Sequence, residues 1–174
     1  ALVGILGHTL DHWLRNEPVV RENPSDIEGV HQMRVASRRF RSCLRLFRPL
    51  LGKAPARRMN QRVKWLTDML GPARDWDVLL DETLEPLLAL TPDHAALAAL
   101  VAAAEERRAE EYESARAALA SREYTDLVLE TAGWIEGRGW RDERDAEERG
   151  RLDESARAFA AAVLEKGDAR VVKG

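Results

Sequence analysis

Apolar residues recur along this chain at steps of three and four, with no run of the two-residue alternation that marks a half-buried strand. Leu2, Ile5, Leu6, Leu10, Trp13 and Leu14 lay out a first amphipathic helix that closes near Pro18. The chain then crosses Glu22-Asn23-Pro24-Ser25, where Ser25 is the expected N-cap and Glu28 its capping-box partner. Met33, Ala36, Phe40, Cys43, Phe47 and Leu50 repeat the helical pattern beside Val30, Leu44 and Leu51, which predicts a second helix over about 26–50, ended by Gly52. Pro55 suits the first turn of a third helix, which carries Met59, Val63, Leu66 and Leu70 inward and stops at Gly71-Pro72. A fourth runs from about 73 to 90. Thr91-Pro92-Asp93 reads as an N-cap followed by a first-turn proline and opens a long, alanine-rich, acidic helix over 92–120. A helix over 122–137, packed through Leu127, Trp134 and Ile135, a charged mobile loop at 137–149, and a last helix over 150–166 stopping at Gly167 complete the reading. The fold class is all-α, an antiparallel bundle of about six or seven helices.

Composition narrows this only a little. With 174 residues, 45% hydrophobic and 33% charged, the chain can bury one respectable core and is no disordered polyelectrolyte. Its single cysteine, Cys43, falls in the apolar stripe and reads as a buried thiol, so neither a disulfide framework nor a cysteine metal site is available within one chain. The longest uncharged stretch, 94–104, is far too short to cross a bilayer, and no basic segment precedes a hydrophobic run at the N-terminus. The expected location is the cytoplasm, with no membrane partner.

Charge changes the picture more. The chain carries 27 basic and 30 acidic residues, formally −3. Residues 29–67 hold eleven arginines and lysines and no acid, which leaves −14 for the remainder. Charge sorted in this way suits a protein that holds a polyanion at one place without being adhesive elsewhere. His31, Arg34, Arg38, Arg41, Arg45 and Arg48 follow at steps of 3, 4, 3, 4 and 3, which keeps them on one helical face, roughly opposite the apolar stripe. Like charges at neighbour spacing cost a few tenths of a kcal/mol per pair, and no counter-charge is supplied along this helix.

The string Val30-His31-Gln32-Met33-Arg34-Val35-Ala36-Ser37-Arg38-Arg39-Phe40-Arg41, followed by Lys64-Trp65-Leu66 and by Leu70-Gly71-Pro72-Ala73-Arg74-Asp75-Trp76-Asp77-Val78-Leu79, resembles the CHAD domain, the conserved histidine α-helical domain. The resemblance implies a module that binds inorganic polyphosphate, built from two similar antiparallel helical bundles about a positively charged channel, each with its own His-bearing basic helix. It covers essentially the whole chain but only the family's first half. No second His-xx-Arg helix with its Lys/Arg run is found, and the start of the second half is expected at 150–174. The resemblance also implies association with a triphosphatase domain or with polyphosphate granules.

Each basic residue has a plainer reading as a solvated helix face. Surface ion pairs contribute at most about 1 kcal/mol each, however, and need no such register. Arginine is the type expected for phosphate, because its planar fork donates two hydrogen bonds to one group and keeps its charge among other cations. His31 shares the arginine face. Neighbouring positive charge favours its neutral form and a bound phosphate its cation, so His31 is expected to take up a proton on binding. Arg39 stands about a quarter turn off the stripe and enters the site on the resemblance. Arg57, Arg58, Arg62 and Lys64 form a second basic set on the next helix, of which Arg58 is counted into the site and Lys64 enters it on the resemblance. Arg74 is expected to contact ligand, while Asp75 and Asp77, two apart, cap a helix or orient an arginine. Trp13, Trp65 and Trp134 read as core; Trp76 and Trp140 are open.

The basic segment contains no acid, no Gly-rich phosphate loop and no His/Asp pair at ligand spacing, and Ser37 and Ser42 have no evident base partner. A non-catalytic binding module without cofactor or metal is expected. Two alternatives compete with it. A nucleic-acid binder would prefer RNA or DNA, and the acidic remainder and the lack of an aromatic-lined basic surface tell against it. A scaffold would dock the basic helix on the acidic helices at 100–160, with its arginines paired to Glu105, Glu110 or Asp153.

Overall fold

Helix periodicity becomes a helical bundle. The computed structural model describes residues 1–23, 26–141 and 155–171, and every element among them is helical. In chain order these are α1 (Leu2–Glu22), α2 (Ile27–Leu46), the single turn α3 (Arg48–Leu51), α4 (Lys53–Met69), α5 (Gly71–Leu79), a π-helical turn (Leu80–Leu84), α6 (Glu85–Leu90), α7 (Ala95–Ala120), α8 (Arg122–Glu136) and α9 (Ala156–Val171). None of the described helices is long and apolar enough to cross a membrane.

The closest pairing is the antiparallel hairpin of α1 and α2. Gly29 makes it possible: a Cβ there would sit 2.9 Å from Val19 Cγ1 and 3.0 Å from Val20 Cγ2. On its apolar side α2 buries Val30, Met33, Ala36, Phe40 and Leu44 almost completely, against Leu6, Leu10 and Trp13 of α1 and Met59, Val63 and Leu66 of α4. Burying a large aliphatic or aromatic side chain contributes about 1.5–3 kcal/mol. Four such residues on α2 outweigh arginine repulsion of about 0.2–0.5 kcal/mol per pair. Tertiary burial therefore lets this helix carry an unbalanced cationic face.

α7 spans two cores. Its second half delivers Tyr112, Ala115 and Leu119 to the main core, while Val101 and Ala104 meet Leu80 and Leu84 in a smaller cluster with Trp76, Leu88 and Leu97. Trp13 Nε1 donates to the Tyr124 hydroxyl at 2.9 Å, tying α1 to α8. Trp140 is buried and meets Trp134 edge-on, with ring centroids 4.9 Å apart. Trp76 is half-buried against the smaller cluster.

Several boundaries depart from the sequence expectation. α1 does not close at Pro18 but runs through it, because Val20 is wholly buried and Arg21 pairs with Glu17 and donates to the Leu119 carbonyl. The N-cap of α2 is Asp26, which accepts from the Glu28 N–H at 2.9 Å; Ser25 lies outside the described residues. The basic helix breaks at Phe47 before α3, and Gly52, at φ 84°, makes the turn into α4. The predicted fourth helix runs without a gap from Gly71 to Leu90 but holds a π-helical turn at Leu80–Leu84, just before Pro86, which lacks the N–H that would continue the ladder to Glu82. Thr91 closes α6 instead of opening the acidic helix, and His94 caps α7 by accepting from the Leu97 N–H at 3.1 Å. The last helix begins at Ala156 and passes Gly167 to reach Val171. The expected loop is described only to Arg141; its remainder, 142–149, lies outside the described residues. Cys43 is half-buried, and that burial pushes its thiol pKa up.

Candidate functional site

α2 and α4 run antiparallel, so their polar edges face each other across a trough. Its first hollow, about 240 Å³, is lined by His31, Arg34, Val35, Arg38, Arg41, Thr67 and Arg74. The stripe on α2 forms one wall, the end of α4 the other, and the first turn of α5 brings in Arg74. No carboxylate lines it.

Helix ends explain how these side chains are held. The last carbonyls of a helix have no intrahelical partner and attract cations. Arg34 Nη1 donates to the Thr67 carbonyl at 3.1 Å, so a residue of α2 caps the end of α4 while lining the hollow. Gly71 gives it room, since a Cβ there would lie 3.0 Å from the same Nη1. Further along, Arg41 Nε donates to Asn60 Oδ1 at 3.1 Å, bridging the two walls. Arg38 is exposed at the rim. Each anchored guanidinium commits one N–H to the protein and has four left.

Beneath Arg74 lies a buried acid. Asp77 is fully buried, accepts from the Tyr112 hydroxyl at 3.0 Å, and has Arg74 Nη1 3.9 Å from the same oxygen. Its other oxygen meets no hydrogen-bond partner among the described residues. Burial raises the Asp77 pKa most, with Asp81 adding to it, while the Tyr112 hydrogen bond and the charges of Arg74 and Arg108 oppose. Burial and the Asp77 carboxylate push the Tyr112 hydroxyl upward in turn. Asp75, by contrast, is exposed.

The other expected residues divide. Arg45 and Arg48 line a second hollow of about 380 Å³ with Lys53, Arg57 and Asn60, and Arg45 also donates to Ser42 Oγ at 3.1 Å. Arg58 lines a third, outer hollow with Lys53, Arg57 and Gln61. Two expected residues line none of the three. Arg39 is exposed away from the trough. Lys64 stands between Asn60 and Thr67 in register, but its ammonium is held by Asp68 one turn on. Arg62 faces α8, where Glu130 accepts from it at 2.8 Å and Glu123 lies 3.9 Å away.

Among the described residues, Arg34, Arg38, Arg39, Arg41, Arg45 and Arg48 form no ion pair with a carboxylate. Glu110 pairs with Arg107, and Asp153 lies outside the described residues. On the opposite wall Arg57 belongs to the second basic set but not to the expected site, and sequence reasoning missed Lys53, Asn60 and Thr67. Lys53, Arg57, Asn60 and Thr67 follow on α4 at steps of 4, 3 and 7, a second polar stripe whose spacing is as readable as the first.

Fold and site together define an all-helical module whose cationic residues converge on a trough between two antiparallel helices. The family follows from comparison: a CHAD domain model matches residues 4–174, and the chain belongs to that family. A crystal structure of the CHAD domain from the plant Ricinus communis is similar, with a TM-score of 0.76 and 36% sequence identity over 95% of this chain. The match covers 51% of the plant chain, so this chain spans about half the length of that relative. No curated protein matches.

Proposed function

We propose that this chain binds linear inorganic polyphosphate along the α2–α4 trough and leaves it intact. The observation that carries the reading is a hollow walled by His31, Arg34, Arg38, Arg41 and Arg74, with no carboxylate in its lining. A linear anion with a charge on every unit matches cations spaced one turn apart, at about 5 Å. Exposed to water on one side, such a site gains from displaced counterions as much as from individual bonds, so affinity falls steeply with salt.

Binding without cleavage is supported by the make-up of the lining. Its one hydroxyl, Thr67 Oγ1, donates to the Val63 carbonyl at 3.1 Å, and its one imidazole, His31, has no carboxylate beside it in the hollow. The role is that of a module that holds or targets polyphosphate for a triphosphatase domain or a granule.

The test compares long-chain polyphosphate with tRNA and duplex DNA at two salt concentrations, for the wild type and an Arg34/Arg38/Arg41→Ala variant. Selective polyphosphate binding that the variant loses is the expected result. A preference for either nucleic acid, or a variant that binds polyphosphate as well as the wild type, overturns the reading.

A further inference from the structure

Two hollows share the trough, and one hydrogen bond marks their boundary. The first ends at Arg41, the second begins at Asn60, and Arg41 Nε donates to Asn60 Oδ1 between them. Beyond this saddle the walls are Arg45 and Arg48 on the α2–α3 side and Lys53 and Arg57 on α4. Lys53, Arg57 and Arg48 are exposed, and none of the four pairs with a carboxylate among the described residues. Lys53 and Arg57 also line the outer hollow, so the cationic surface runs on without a break. No carboxylate lines any of the three.

We infer that the hollow of Arg45, Arg48, Lys53 and Arg57 is a second phosphate subsite, and that the two subsites together make the chain select polyphosphate by length. The inference rests on the polyphosphate reading above. Its physical basis is reach. Fourteen residues of α2 separate His31 from Arg45, which at 1.5 Å per residue is about 21 Å. A chain advancing roughly 3 Å per bridged phosphate needs on the order of eight units to span about 21 Å. A shorter phosphate cannot fill both hollows at once. A longer one occupies both, and its second contact is intramolecular, at an effective concentration in the millimolar range, which multiplies affinity by about 10²-fold or more without a new kind of contact. The Arg41–Asn60 hydrogen bond crosses the trough between the two subsites, while the other four Arg41 N–H groups remain for the ligand. The ligand must bridge that point, which gives the length requirement its threshold.

The test is a binding series with phosphate chains of defined length, from triphosphate to chains far longer than about eight units. The proteins compared are the wild type, the distal variant Lys53→Ala/Arg57→Ala, its opposite-wall counterpart Arg45→Ala/Arg48→Ala, and the proximal variant Arg34→Ala/Arg38→Ala. Thermal melts check that each is folded. In the wild type the affinity should climb steeply up to about eight phosphates and only slowly beyond. In either distal variant the ratio of long-chain to triphosphate affinity should fall about tenfold or more, and the salt slope for long chains should drop by about 0.7 per cation removed. A distal variant with the wild-type length dependence, beside a proximal variant that has lost binding, overturns this inference alone. A wild-type chain that binds no polyphosphate of any length overturns it together with the functional reading.

Discussion

Replacing Arg34 by lysine keeps the charge of the trough and removes a fork. One Arg34 N–H caps the Thr67 carbonyl at 3.1 Å, and the same side chain lines the first hollow. Lysine has a single nitrogen on a flexible stem, so it either caps α4 or meets the ligand. Arg38 is the natural comparison. It lines the same hollow, is exposed, and has neither a hydrogen bond nor an ion pair among the described residues. Arg38→Lys therefore loses only the second prong toward phosphate. Arg34→Lys loses that prong and also the capping bond, which the lysine must remake at the ligand's expense. A hydrogen bond of this kind contributes about 1 kcal/mol net, so Arg34→Lys is expected to bind about fivefold more weakly than Arg38→Lys. Both variants keep the cation count, which predicts matching salt slopes for the two. The assay is calorimetric titration with long-chain polyphosphate at about 50 and 200 mM salt. Equal losses in the two variants, or a larger loss in Arg38→Lys, would refute the claim that Arg34 works from an anchored position.

Three further predictions concern the scaffold. Tyr124→Phe should lower stability by about 1–3 kcal/mol, because it leaves the wholly buried Trp13 indole N–H without its acceptor at 2.9 Å; urea unfolding with an unchanged midpoint would show that the bond contributes nothing. Gly29→Ala should destabilise by about 1 kcal/mol, since crowding by Val19 and Val20 exceeds the helix-propensity gain, whereas Gly7→Ala, with nothing within 4 Å of its Cβ, should gain up to about 1 kcal/mol. Opposite signs in paired denaturant melts are the expected outcome, and a stabilising Gly29→Ala would contradict the close crossing of α1 and α2. Asp77 sets a pH dependence: its pKa is raised above the ordinary 3.8 by burial first. The folded state then holds this proton more tightly than the unfolded chain. Stability is therefore lost as pH rises from the ordinary value through the raised one, and the penalty is complete above it. Asp77→Asn should lack that slope, and a variant with the wild-type pH profile of unfolding would assign the slope elsewhere.

The basic and apolar stripes of α2 were legible because both follow the 3.6-residue period, and a period is a property of the chain itself. The same holds for the inward residues Met59, Val63, Leu66, Leu127, Trp134 and Ile135, all buried as their spacing requires. Helix ends were less legible, because local rules compete there with packing. Pro18 would stop an isolated helix, but the buried Val20 beyond it carries α1 onward. Thr91-Pro92 offers a start signal, yet Thr91 completes the turn before it and His94 takes the cap. The CHAD resemblance was legible from the motifs on α2 and at Gly71-Pro72, and the family match bears it out.

What the amino-acid sequence determined by itself was the all-helical class, the cationic face and the family, each written in spacing that one helix can express. What only the tertiary structure decided was which cations share a space. Antiparallel pairing set Thr67 opposite Arg34, Asn60 opposite Arg41, and Lys53 and Arg57 near Arg45 and Arg48. It also turned Arg62 to the acids of α8, whereas the Lys64–Asp68 pair, four residues apart on α4, is local to one helix. Periodicity assigns each side chain to a face of its own helix. It carries no information about which other helix that face will meet, because that choice is made by the summed burial of every apolar stripe at once.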